Sequence, residues 1–479
     1  MKTEHVIKIN AHGGLFTPNK LNLIATTAAL HGAQNINFGP RQEIFFNISR
    51  ENMSAFEIDF KKLELDYELD TDTYPNITSS YAAEGILSWE NWLTEGVYKD
   101  VLYMYDYKPR LKINICDNEQ SLMPLFNSEL NFISSATPHY WHLYINLTTD
   151  TNLYAWDRLI YTTDIAKVSR EIEELYYHNK ITIVSEINKI VNENLSYLFI
   201  DTTILELKRY SFQYYEGMNR YGDKYWLGIY RRNYLFPISF VSEFCELCKD
   251  THIAQICITT WRTLIVKGLQ QQHRINWEKL LGKHGVNLRH SANELNWVVA
   301  DINSRELDIK QSILSFFDLK DTRTFGLVFG IKLYAHANIQ ASVIIEKRSA
   351  FIEAYDIYYT KDFNPNNPEK ILFHKDVSKH KLPYILLSLC KLYYSQLNDA
   401  VQPINIEQQT TAKVNTPSGL HQCMSCYTIY DPSFGDSTMN IPPNTPFDKL
   451  PYTYMCPTCE APRNTFVQVS SFDMPAVSA

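Results

Sequence analysis

Cys423-Met-Ser-Cys426 and Cys456-Pro-Thr-Cys459 stand near the carboxyl end of this chain of 479 residues, with twenty-nine residues between the two pairs. Two residues between the cysteines of a pair let both sulfur atoms point at one centre. Four thiolates from two such pairs can surround a single metal ion tetrahedrally. The spacing therefore predicts a metal site with Cys423, Cys426, Cys456 and Cys459 as its ligands.

The residues around the two pairs distinguish between kinds of metal site. Cys426 is followed by Tyr-Thr-Ile-Tyr-Asp-Pro, and further along come Gly435-Asp436, Leu450-Pro451 and Ala461-Pro462. Together with the spacing, these segments resemble rubredoxin over residues 420–467. The resemblance implies one iron ion that cycles between Fe3+ and Fe2+ and transfers one electron without bond chemistry. A zinc ribbon stays open as the alternative, because two Cys-x2-Cys pairs also bind zinc.

Two positions depart from the rubredoxin pattern. Rubredoxins usually have glycine directly after the second cysteine of each pair, whereas this chain has Tyr427 and Glu460 there. A non-glycine residue in the left-handed region costs about 1–2 kcal/mol, so these turns are expected to be strained or reshaped. The carboxylate of Glu460 is expected to stabilise the ferric form and lower the reduction potential. We also expect Tyr454, Tyr430 and Phe447 to fill the small aromatic core.

The composition is that of an ordinary globular protein, with 45% hydrophobic and 20% charged residues. A formal net charge of −8 argues against a nucleic-acid or anionic-membrane surface, which needs clustered Lys and Arg, and favours a partner with a basic docking face. The chain begins without an apolar signal segment, and no apolar run reaches the roughly 18 residues that span a bilayer. With an odd number of cysteines, nine, these features predict a cytoplasmic protein with reduced thiols.

An internal repeat organises the first 400 residues. Gly14-Leu-Phe-Thr-Pro opens a predicted helix with Thr17 as its N-cap, and an Ala-Gln pair, a short strand and Arg41 follow. The same order returns after Tyr234-Leu-Phe-Pro and ends at Arg262. The offset between the copies is 220 in the helix and 221 after it. We therefore expect one inserted residue at the turn after the helix, and Arg41 and Arg262 at equivalent positions.

The order of strands and helices in each copy indicates an α+β fold with mixed sheets. Two such copies resemble the assimilatory nitrite and sulfite reductases over roughly residues 5–347, which implies a duplicated body with two ferredoxin-like half-domains. The predicted domains are a first ferredoxin-like half-domain at 1–75, a first siroheme-domain-like portion at 76–208, a second ferredoxin-like half-domain at 209–290, a second siroheme-domain-like portion at 291–400, a linker at 401–419 and a rubredoxin domain at 420–470. The linker is rich in Gln, Thr and Pro, and both a flexible tether and a strap fixed to the body stay open.

The reductase resemblance also implies cofactors. In that family, siroheme and a four-iron cluster lie between the halves and depend on two cysteine pairs, one with five residues between and one with three. In this chain Cys245 and Cys248 have two residues between them, while Cys257 and Cys390 stand apart. We therefore predict that siroheme and the 4Fe-4S cluster are absent and that the six-electron reduction of nitrite or sulfite does not occur. The upstream cysteines, Cys116 included, are interpreted as small buried side chains.

Four basic residues are candidates for binding a tetrapyrrole if one is retained. Arg41 and Arg262 take the place where the resemblance puts an arginine near the siroheme or its substrate anion. Lys108 and Lys112 belong to a segment that resembles another approach to the tetrapyrrole, with one residue fewer than usual. A planar guanidinium suits a carboxylate, but structural ion pairs and solvated strand ends remain the alternative for all four.

These patterns predict an electron-transfer protein rather than a catalyst. The rubredoxin domain would be tethered to a catalytically silent body that docks a redox partner, either a nitrite/sulfite reductase or a flavin-dependent reductase. One alternative is a reductase that binds siroheme or another tetrapyrrole and uses the rubredoxin as its built-in donor. The other is a structural assembly factor with zinc at the four cysteines.

Overall fold

The structure is a computed structural model in which two compact units are distinguished. The first comprises Met1–Asn219 and Lys224–Asn398, and the second comprises Arg220–Asp223 and Asp399–Ala479. The residues described are 3–123, 128–147, 153–201, 209–299, 304–334, 339–348, 353–367, 369–400, 419–426 and 428–468. Most of the predicted linker, Tyr427 and the last residues of the predicted rubredoxin domain lie outside these ranges. No helix within them is long and apolar enough to cross a bilayer.

The amino-terminal segment provides most of one antiparallel sheet and two helices. Its elements are β1 (Glu4–Asn10), β2 (Leu15–Phe16), α1 (Pro18–Leu30), β3 (Asn35–Phe38), β4 (Glu43–Ser49), α2 (Met53–Lys61) and β5 (Glu68–Leu69). As predicted, α1 begins after Thr17, whose Oγ1 accepts the backbone N–H of Lys20 at 3.2 Å. The face of α1 that repeats at helical spacing is buried in the core and consists of Leu21, Ile24, Ala25 and Ala28.

A mixed sheet follows. Its elements are β6 (Thr78–Ser79), α3 (Glu95–Tyr103), β7 (Ile113–Cys116), β8 (Leu130–Ser134), β9 (Tyr140–Ile145), β10 (Tyr154–Ala155), β11 (Arg158–Tyr161), α4 (Ile165–Tyr177), α5 (Val184–Asn194) and β12 (Phe199–Asp201). The strand order is β6-β7-β8-β9-β11-β12, with β10 paired to β9. The first three strands are parallel and the rest are antiparallel, so helices and long loops must return the chain between the parallel strands.

The second copy repeats the first. Its elements are β13 (Gly217–Tyr221), β14 (Lys224–Ile229), β15 (Leu235–Pro237), α6 (Ile238–Asp250), β16 (Ile256–Ile258), β17 (Leu264–Leu269) and α7 (Arg274–Lys283). α6 packs against α1, and the two sheets and both helices share one hydrophobic core. Cys245 and Cys248 lie on the buried face of α6, where the offset of 220 matches them to Ala25 and Ala28. The prediction that these thiols are small buried side chains is confirmed.

A second mixed sheet completes the body. Its elements are α8 (Ala292–Leu295), β18 (Trp297–Val299), α9 (Ser304–Leu319), β19 (Phe329–Lys332), β20 (Val343–Lys347), β21 (Ala354–Thr360), β22 (Lys370–Ser378) and α10 (Leu382–Ala400). The order β18-β19-β20-β21-β22 again starts with three parallel strands and continues with antiparallel ones. The domain boundaries within the body stay a prediction.

The two antiparallel sheets exchange a strand. β2 pairs with β16 of the second copy, with Phe16 opposite Ile256, and β15 pairs with β3 of the first copy, with Phe236 opposite Ile36. Phe236 and Ile256 each lie 220 positions after Phe16 and Ile36, so the exchange is symmetric. Each copy therefore supplies a strand that completes the sheet of the other.

The register corrects the predicted offset. Ile9 pairs with Ile44, and Ile229 pairs with Leu264, so the offset is still 220 after the turn where an insertion was predicted. The extra residue lies later, at a β-bulge where Trp226 pairs with Lys267 and the next pairing skips one residue to join Tyr225 to Leu269. That prediction was wrong because hydrogen-bond register, which fixes the alignment, is not visible in a short sequence match.

The equivalence of the two arginines is wrong for the same reason. Gln42 donates its backbone N–H to Gly39 at 3.0 Å, and Arg262 donates to Thr259 at 3.1 Å. Both donors have positive φ, 62° for Gln42 and 60° for Arg262. Arg262 therefore takes the position of Gln42, and Arg41 corresponds to Trp261.

The C-terminal module is small. Its strands are β23 (His421–Cys423), β24 (Ile429–Tyr430) and β25 (Phe466–Gln468), with β23 in the centre. The predicted aromatic core forms: Tyr430, Phe447 and Tyr454 are buried with ring centroids 5.6–6.3 Å apart, and Phe466 joins them. The core packs against both cysteine turns, since Cys423 and Cys456 belong to the same buried cluster.

Candidate metal centre

The four predicted ligands come together in the C-terminal module. Cys423 Sγ lies 3.6 Å from Cys459 Sγ, and Cys426 Sγ lies 3.5 Å from Cys456 Sγ. All four sulfur atoms lie within 4.8 Å of one another. An ion with metal–sulfur bonds of about 2.3 Å separates its tetrahedral ligands by about 3.8 Å. The four sulfurs therefore fit one tetrahedral ion, each turn contributing two of them.

Backbone N–H groups in the two turns point at the sulfurs. Those of Ser425 and Cys426 donate to the sulfur of Cys423, and that of Thr428 donates to Cys426. In the second turn, Thr458 and Cys459 donate to Cys456, and Ala461 donates to Cys459. Such donors stabilise negative charge on sulfur and so tune any metal held there. Although burial raises the pKa of Cys423, the N–H groups of Ser425 and Cys426, together with hydrogen bonds to the thiols of Cys459 and Cys426, lower it to about 6.

The two cysteines of each turn differ in exposure. Cys423 and Cys456 are fully buried, while Cys426 is half-buried and Cys459 is exposed. One edge of the site is thus enclosed by the aromatic core, and the opposite edge reaches the surface. Met424, which follows Cys423 in the chain, has a half-exposed side chain.

Two threonine hydroxyls lie at the exposed edge. Thr428 Oγ1 is 3.2 Å from Cys426 Sγ and 2.9 Å from Thr458 Oγ1. A metal-bound thiolate carries no proton, so in the loaded site the hydroxyl is the donor and the sulfur accepts. The sequence analysis missed this contact. Its signal is the position of Thr428, two residues after a ligand, where a short polar side chain folds back on the turn.

Glu460 has the backbone conformation that the missing glycine would favour. Its φ is +61°, in the left-handed region. Two backbone hydrogen bonds close the turn. The N–H of Glu460 donates to the carbonyl of Cys456 at 2.9 Å, and the N–H of Cys456 donates to the carbonyl of Ala461 at 2.8 Å. The chain therefore keeps the usual turn at Glu460 and accepts the strain, rather than reshaping it. Tyr427, its counterpart in the first turn, lies outside the described residues.

A second set of polar contacts holds the loop between the cysteine turns. Tyr454 donates its hydroxyl to Asp436 Oδ2 at 3.0 Å, and the other oxygen of Asp436 caps the turn at Thr438. The guanidinium of Arg463 donates to the carbonyls of Leu450 at 2.8 Å and Phe447 at 3.0 Å. These contacts fix the ligand-bearing turns relative to the core, and the sequence analysis did not identify Arg463 or the role of Asp436.

Arg41 is buried and its guanidinium is occupied by the protein. It donates to the carbonyl of Asn76, to the carbonyl of Ile113 at 3.0 Å and to Ser128 Oγ at 2.7 Å. Burial lowers the pKa of Arg41, and the nearby carboxylate of Glu43 offsets part of that effect. The hydrogen bonds tie the turn after β3 to the start of the first mixed sheet. A role of Arg41 towards a tetrapyrrole stays a prediction.

Arg262 is also buried and donates to backbone carbonyls, to Val299 at 3.0 Å and to Phe38 at 3.4 Å. Its guanidinium lies 5.7 Å from the ring centre of Tyr234. Arg41 and Arg262 have no described acceptor residue in common, so the structure does not bring them together around one acceptor.

Lys108 and Lys112 have different surroundings. Lys108 is more than half exposed, with its ammonium 2.9 Å from the carboxylate of Asp66, and it lines a cleft in the first copy. Lys112 begins the segment leading into β7, and its backbone N–H donates to Glu129 at 2.6 Å. Their proposed binding of a tetrapyrrole stays a prediction.

The five cysteines of the body are all buried and free. Burial raises the pKa of Cys245 and of Cys390 to about 12 and that of Cys257 to about 11, and it raises the pKa of Cys116 and Cys248 as well. Thiols in such surroundings stay protonated and unreactive. Within the part of the chain that the structure describes, only the four C-terminal cysteines bring three or more His, Cys, Asp or Glu ligand atoms together.

Comparison with known proteins agrees with this division. The Rubredoxin family matches residues 420–466. The rubredoxin of Synechocystis sp. is 39% identical over 69 residues, which are 14% of this chain and 58% of that protein. Rubredoxin-1 of Chlorobaculum tepidum is 37% identical over 68 residues, and the match covers 97% of its length. The chain thus spans little more than half of the Synechocystis protein and nearly all of the Chlorobaculum one.

The body resembles a solved structure in shape rather than in sequence. The NirA protein of Mycobacterium tuberculosis superimposes with a TM-score of 0.62 at 12% identity, over 81% of this chain and 80% of that one. At this identity the likeness shows the fold alone. The α+β fold, the nitrite/sulfite reductase-like body and the small C-terminal metal-binding domain are thereby confirmed as predicted.

Proposed function

The chain belongs to the rubredoxin family through residues 420–466, and on that basis we propose that it is a one-electron carrier tethered to a catalytically silent body that docks a redox partner. The observation that carries the proposal is the gathering of four cysteine sulfurs within 4.8 Å, with Cys459 at the surface. Iron bound there would supply a ferric/ferrous couple.

The residues of the module are suited to such a couple. The N–H groups directed at the sulfurs stabilise the extra negative charge of the reduced state without rearrangement, since the turns are closed by backbone hydrogen bonds. The aromatic core excludes water from Cys423 and Cys456. Cys426 and Cys459 lie at the accessible edge, where a partner can approach the site closely.

Two observations support a body without the reductase activity. Its five cysteines are buried. Within the described residues, none of them belongs to a group of three or more His, Cys, Asp or Glu side chains that could hold a metal ion together. The guanidinium groups of Arg41 and Arg262 donate to carbonyls of the chain itself. To bind an iron-sulfur cluster, the cysteines would have to move together. To bind an anion, the two arginines would have to give up their hydrogen bonds to the chain. We therefore propose that the body lacks siroheme and a 4Fe-4S cluster.

Charge suggests the chemistry of the partner. Residues 420–466 contain four acidic residues, Asp431, Asp436, Asp448 and Glu460, against Lys449 and Arg463. Four thiolates around a ferric ion add a further negative charge. A redox protein with a basic docking face would be steered towards this module, and a nitrite/sulfite reductase or a flavin-dependent reductase is the proposed class. We place the protein in the cytoplasm, where thiols remain reduced.

The test is a spectrum and metal content of the full chain, expressed in an iron-replete host that makes siroheme. We expect close to one iron per chain, a visible thiolate-to-iron absorption that dithionite bleaches with one electron, and its return in air. Cys459→Ser, which removes the exposed ligand, should alter the spectrum, whereas Cys390→Ser in the body should leave it unchanged.

Other outcomes identify the alternatives. Stoichiometric zinc without colour would replace the carrier by a structural zinc site. A Soret-type band, together with reduction of nitrite or sulfite by reduced methyl viologen, would overturn the silent body and favour a tetrapyrrole reductase with a built-in donor.

A further inference from the structure

A cleft of about 550 Å³ opens in the body, mostly between segments of the first copy, with Gln255 of the second copy on its wall. It lies between the end of β1, the start of α1, the end of α3 and the segment before β5. Its volume falls within the range of about 300–1,000 Å³ that small-molecule sites usually have. Residues of interest on its walls are Asn10, His12, Phe16, Lys20, Tyr103 and Lys108.

The wall combines apolar surface with positive charge. Phe16 is buried at the base, while Tyr103 is largely exposed at the rim. Among the described residues, Lys20 pairs with no carboxylate, but its ammonium lies 5.7 Å from the ring centre of Phe16, and Lys108 makes only the exposed pair with Asp66. The carboxylates of the wall belong to Glu64, Asp66 and Glu68, and Glu68 is taken by the buried ammonium of Lys8 at 2.5 Å. An anion entering the cleft can therefore replace two weak contacts, that of Lys108 with Asp66 and that of Lys20 with the ring of Phe16.

The surroundings of His12 agree with this distribution of charge. Desolvation lowers the pKa of His12, and the positive charge of Lys20 lowers it further. The carboxylate of Asp66 acts in the opposite direction, and Lys108 adds the smallest lowering. The lowered pKa favours the neutral imidazole, which can form a hydrogen bond with a ligand in the cleft.

One polar atom in the wall lacks a partner. Asn10 donates its amide N–H to the carbonyl of Tyr74 at 2.8 Å, but its Oδ1 is buried and accepts no hydrogen bond from any described residue. An unpaired buried acceptor costs about 1–3 kcal/mol. Because this oxygen has no accessible surface, a ligand donor reaches it only if the Asn10 side chain turns towards the cleft.

The internal repeat shows that the fold does not require this cleft. The residue equivalent to Lys20 in the second copy, 220 positions later, is Phe240 on α6. Phe240 is fully buried, with its ring 5.4 Å from that of His284. In the second copy this position therefore holds a buried aromatic ring, whereas in the first copy it holds a lysine that lines the cleft.

We propose that this cleft binds a planar organic anion, with its charged group at Lys20 and Lys108 and its ring system against Phe16. The site needs no iron and stands independently of the proposed electron transfer. The imidazole of His12, on the same wall, gives the ligand a hydrogen-bond partner.

Two matched probes test the proposal on the full chain. 8-Anilinonaphthalene-1-sulfonate and N-phenyl-1-naphthylamine share their ring system and differ in the sulfonate. We expect saturable binding of the sulfonate at one site, about tenfold tighter than that of the neutral probe at low salt, corresponding to one charge-assisted contact. Added salt should reduce the difference.

Substitutions locate the binding. Lys20→Phe, which copies the second repeat, and Lys108→Met should each weaken sulfonate binding about tenfold. Lys249→Glu, an exposed change on α6, should leave it unaffected. The proposal is overturned if the two probes bind equally, or if the cleft variants bind the sulfonate as the unmodified chain does. Should Lys20→Phe fail to fold, Lys108→Met still decides, because that side chain is exposed and supports no buried contact.

Discussion

Gln42 and Ile258, separated by 216 positions in the chain, meet through a hydrogen bond of 2.9 Å from Gln42 Nε2 to the carbonyl of Ile258. The same amide donates to the carbonyl of Ser79 at 2.9 Å, and its oxygen accepts the N–H of Ser79 at 2.8 Å. One buried side chain thus joins the first copy, the first mixed sheet and the second copy. In the second copy the equivalent position is Arg262, which makes similar contacts with carbonyls of Phe38 and Val299.

Gln42→Leu should destabilise the body by about 2–4 kcal/mol, because it leaves buried backbone groups of Ser79 and Ile258 without partners. Urea unfolding followed by tryptophan fluorescence measures the loss. Gln272→Leu, at an exposed glutamine in the turn before α7, is the control and should change stability by less than about 0.5 kcal/mol. Equal stability of the two variants would show that water replaces the lost contacts.

Glu90→Gln should stabilise the body increasingly as the pH rises. Burial raises the pKa of Glu90, helped by the negative charge of Asp117, so the folded state holds a proton more tightly than the unfolded state. Stability from this group is complete below the ordinary glutamate pKa and is lost as the pH rises through the elevated one. Glutamine keeps the contacts of Oε1 with Asn118 and Ser134 and has no charge to bury.

Thermal unfolding at several pH values checks this. The advantage of Glu90→Gln over the unmodified chain should be absent near pH 4 and present near pH 7, whereas Glu246→Gln, at an exposed site, should give none at either. An advantage that is the same at every pH would point to packing rather than to proton linkage.

Glu460→Gly should stabilise the C-terminal module by about 1 kcal/mol, because glycine adopts the observed positive φ without steric cost. Glu460→Ala removes the carboxylate but keeps the strain. The difference between these two variants in thermal unfolding of the metal-loaded protein isolates the backbone effect. A glycine variant no more stable than the alanine variant would show that the turn is not strained.

Glu460→Gln should raise the reduction potential, since it removes a negative charge next to Cys459 that favours the ferric state. Side-chain size and backbone conformation are retained. Potentiometric titration gives the result directly, with Asp448→Gln, on the loop between the cysteine turns, as a charge-matched control. Equal or lower potentials for Glu460→Gln would contradict the prediction.

Thr428→Val should lower the reduction potential by about 40 mV, which corresponds to roughly 1 kcal/mol for one electron. The hydroxyl 3.2 Å from Cys426 stabilises sulfur charge most in the reduced state. When its one proton turns from Thr458 to the sulfur, Thr428 Oγ1 can accept the hydroxyl proton of Thr458, 2.9 Å away. Thr453→Val, at an exposed threonine outside the cysteine turns, should leave the potential unchanged. A potential that rises instead would mean that the valine restructures the turn.

The parts of the fold that could be predicted are those encoded locally. The N-cap at Thr17 and the spacing of the four cysteines depend on neighbouring residues, and both appear where expected. The pairing of Arg41 with Arg262 failed because Arg-Gln and Trp-Arg can be aligned in two ways, and only the backbone hydrogen bond to Thr259 decides between them. The cleft at Lys20 brings together segments as far apart in the chain as Lys8 and Gln255, and the sequence gives no local sign of it.

The exchange of β2 and β15 also has a consequence on the ribosome. β3 is complete when residue 38 has been made, but the strand that covers its edge begins at Leu235. At about 5–20 residues per second, translation needs roughly 10–40 s to supply it. Throughout that interval the nascent chain presents an uncovered strand edge beside apolar residues. We expect the first copy to need a chaperone, or to remain unfolded, until its partner strand emerges.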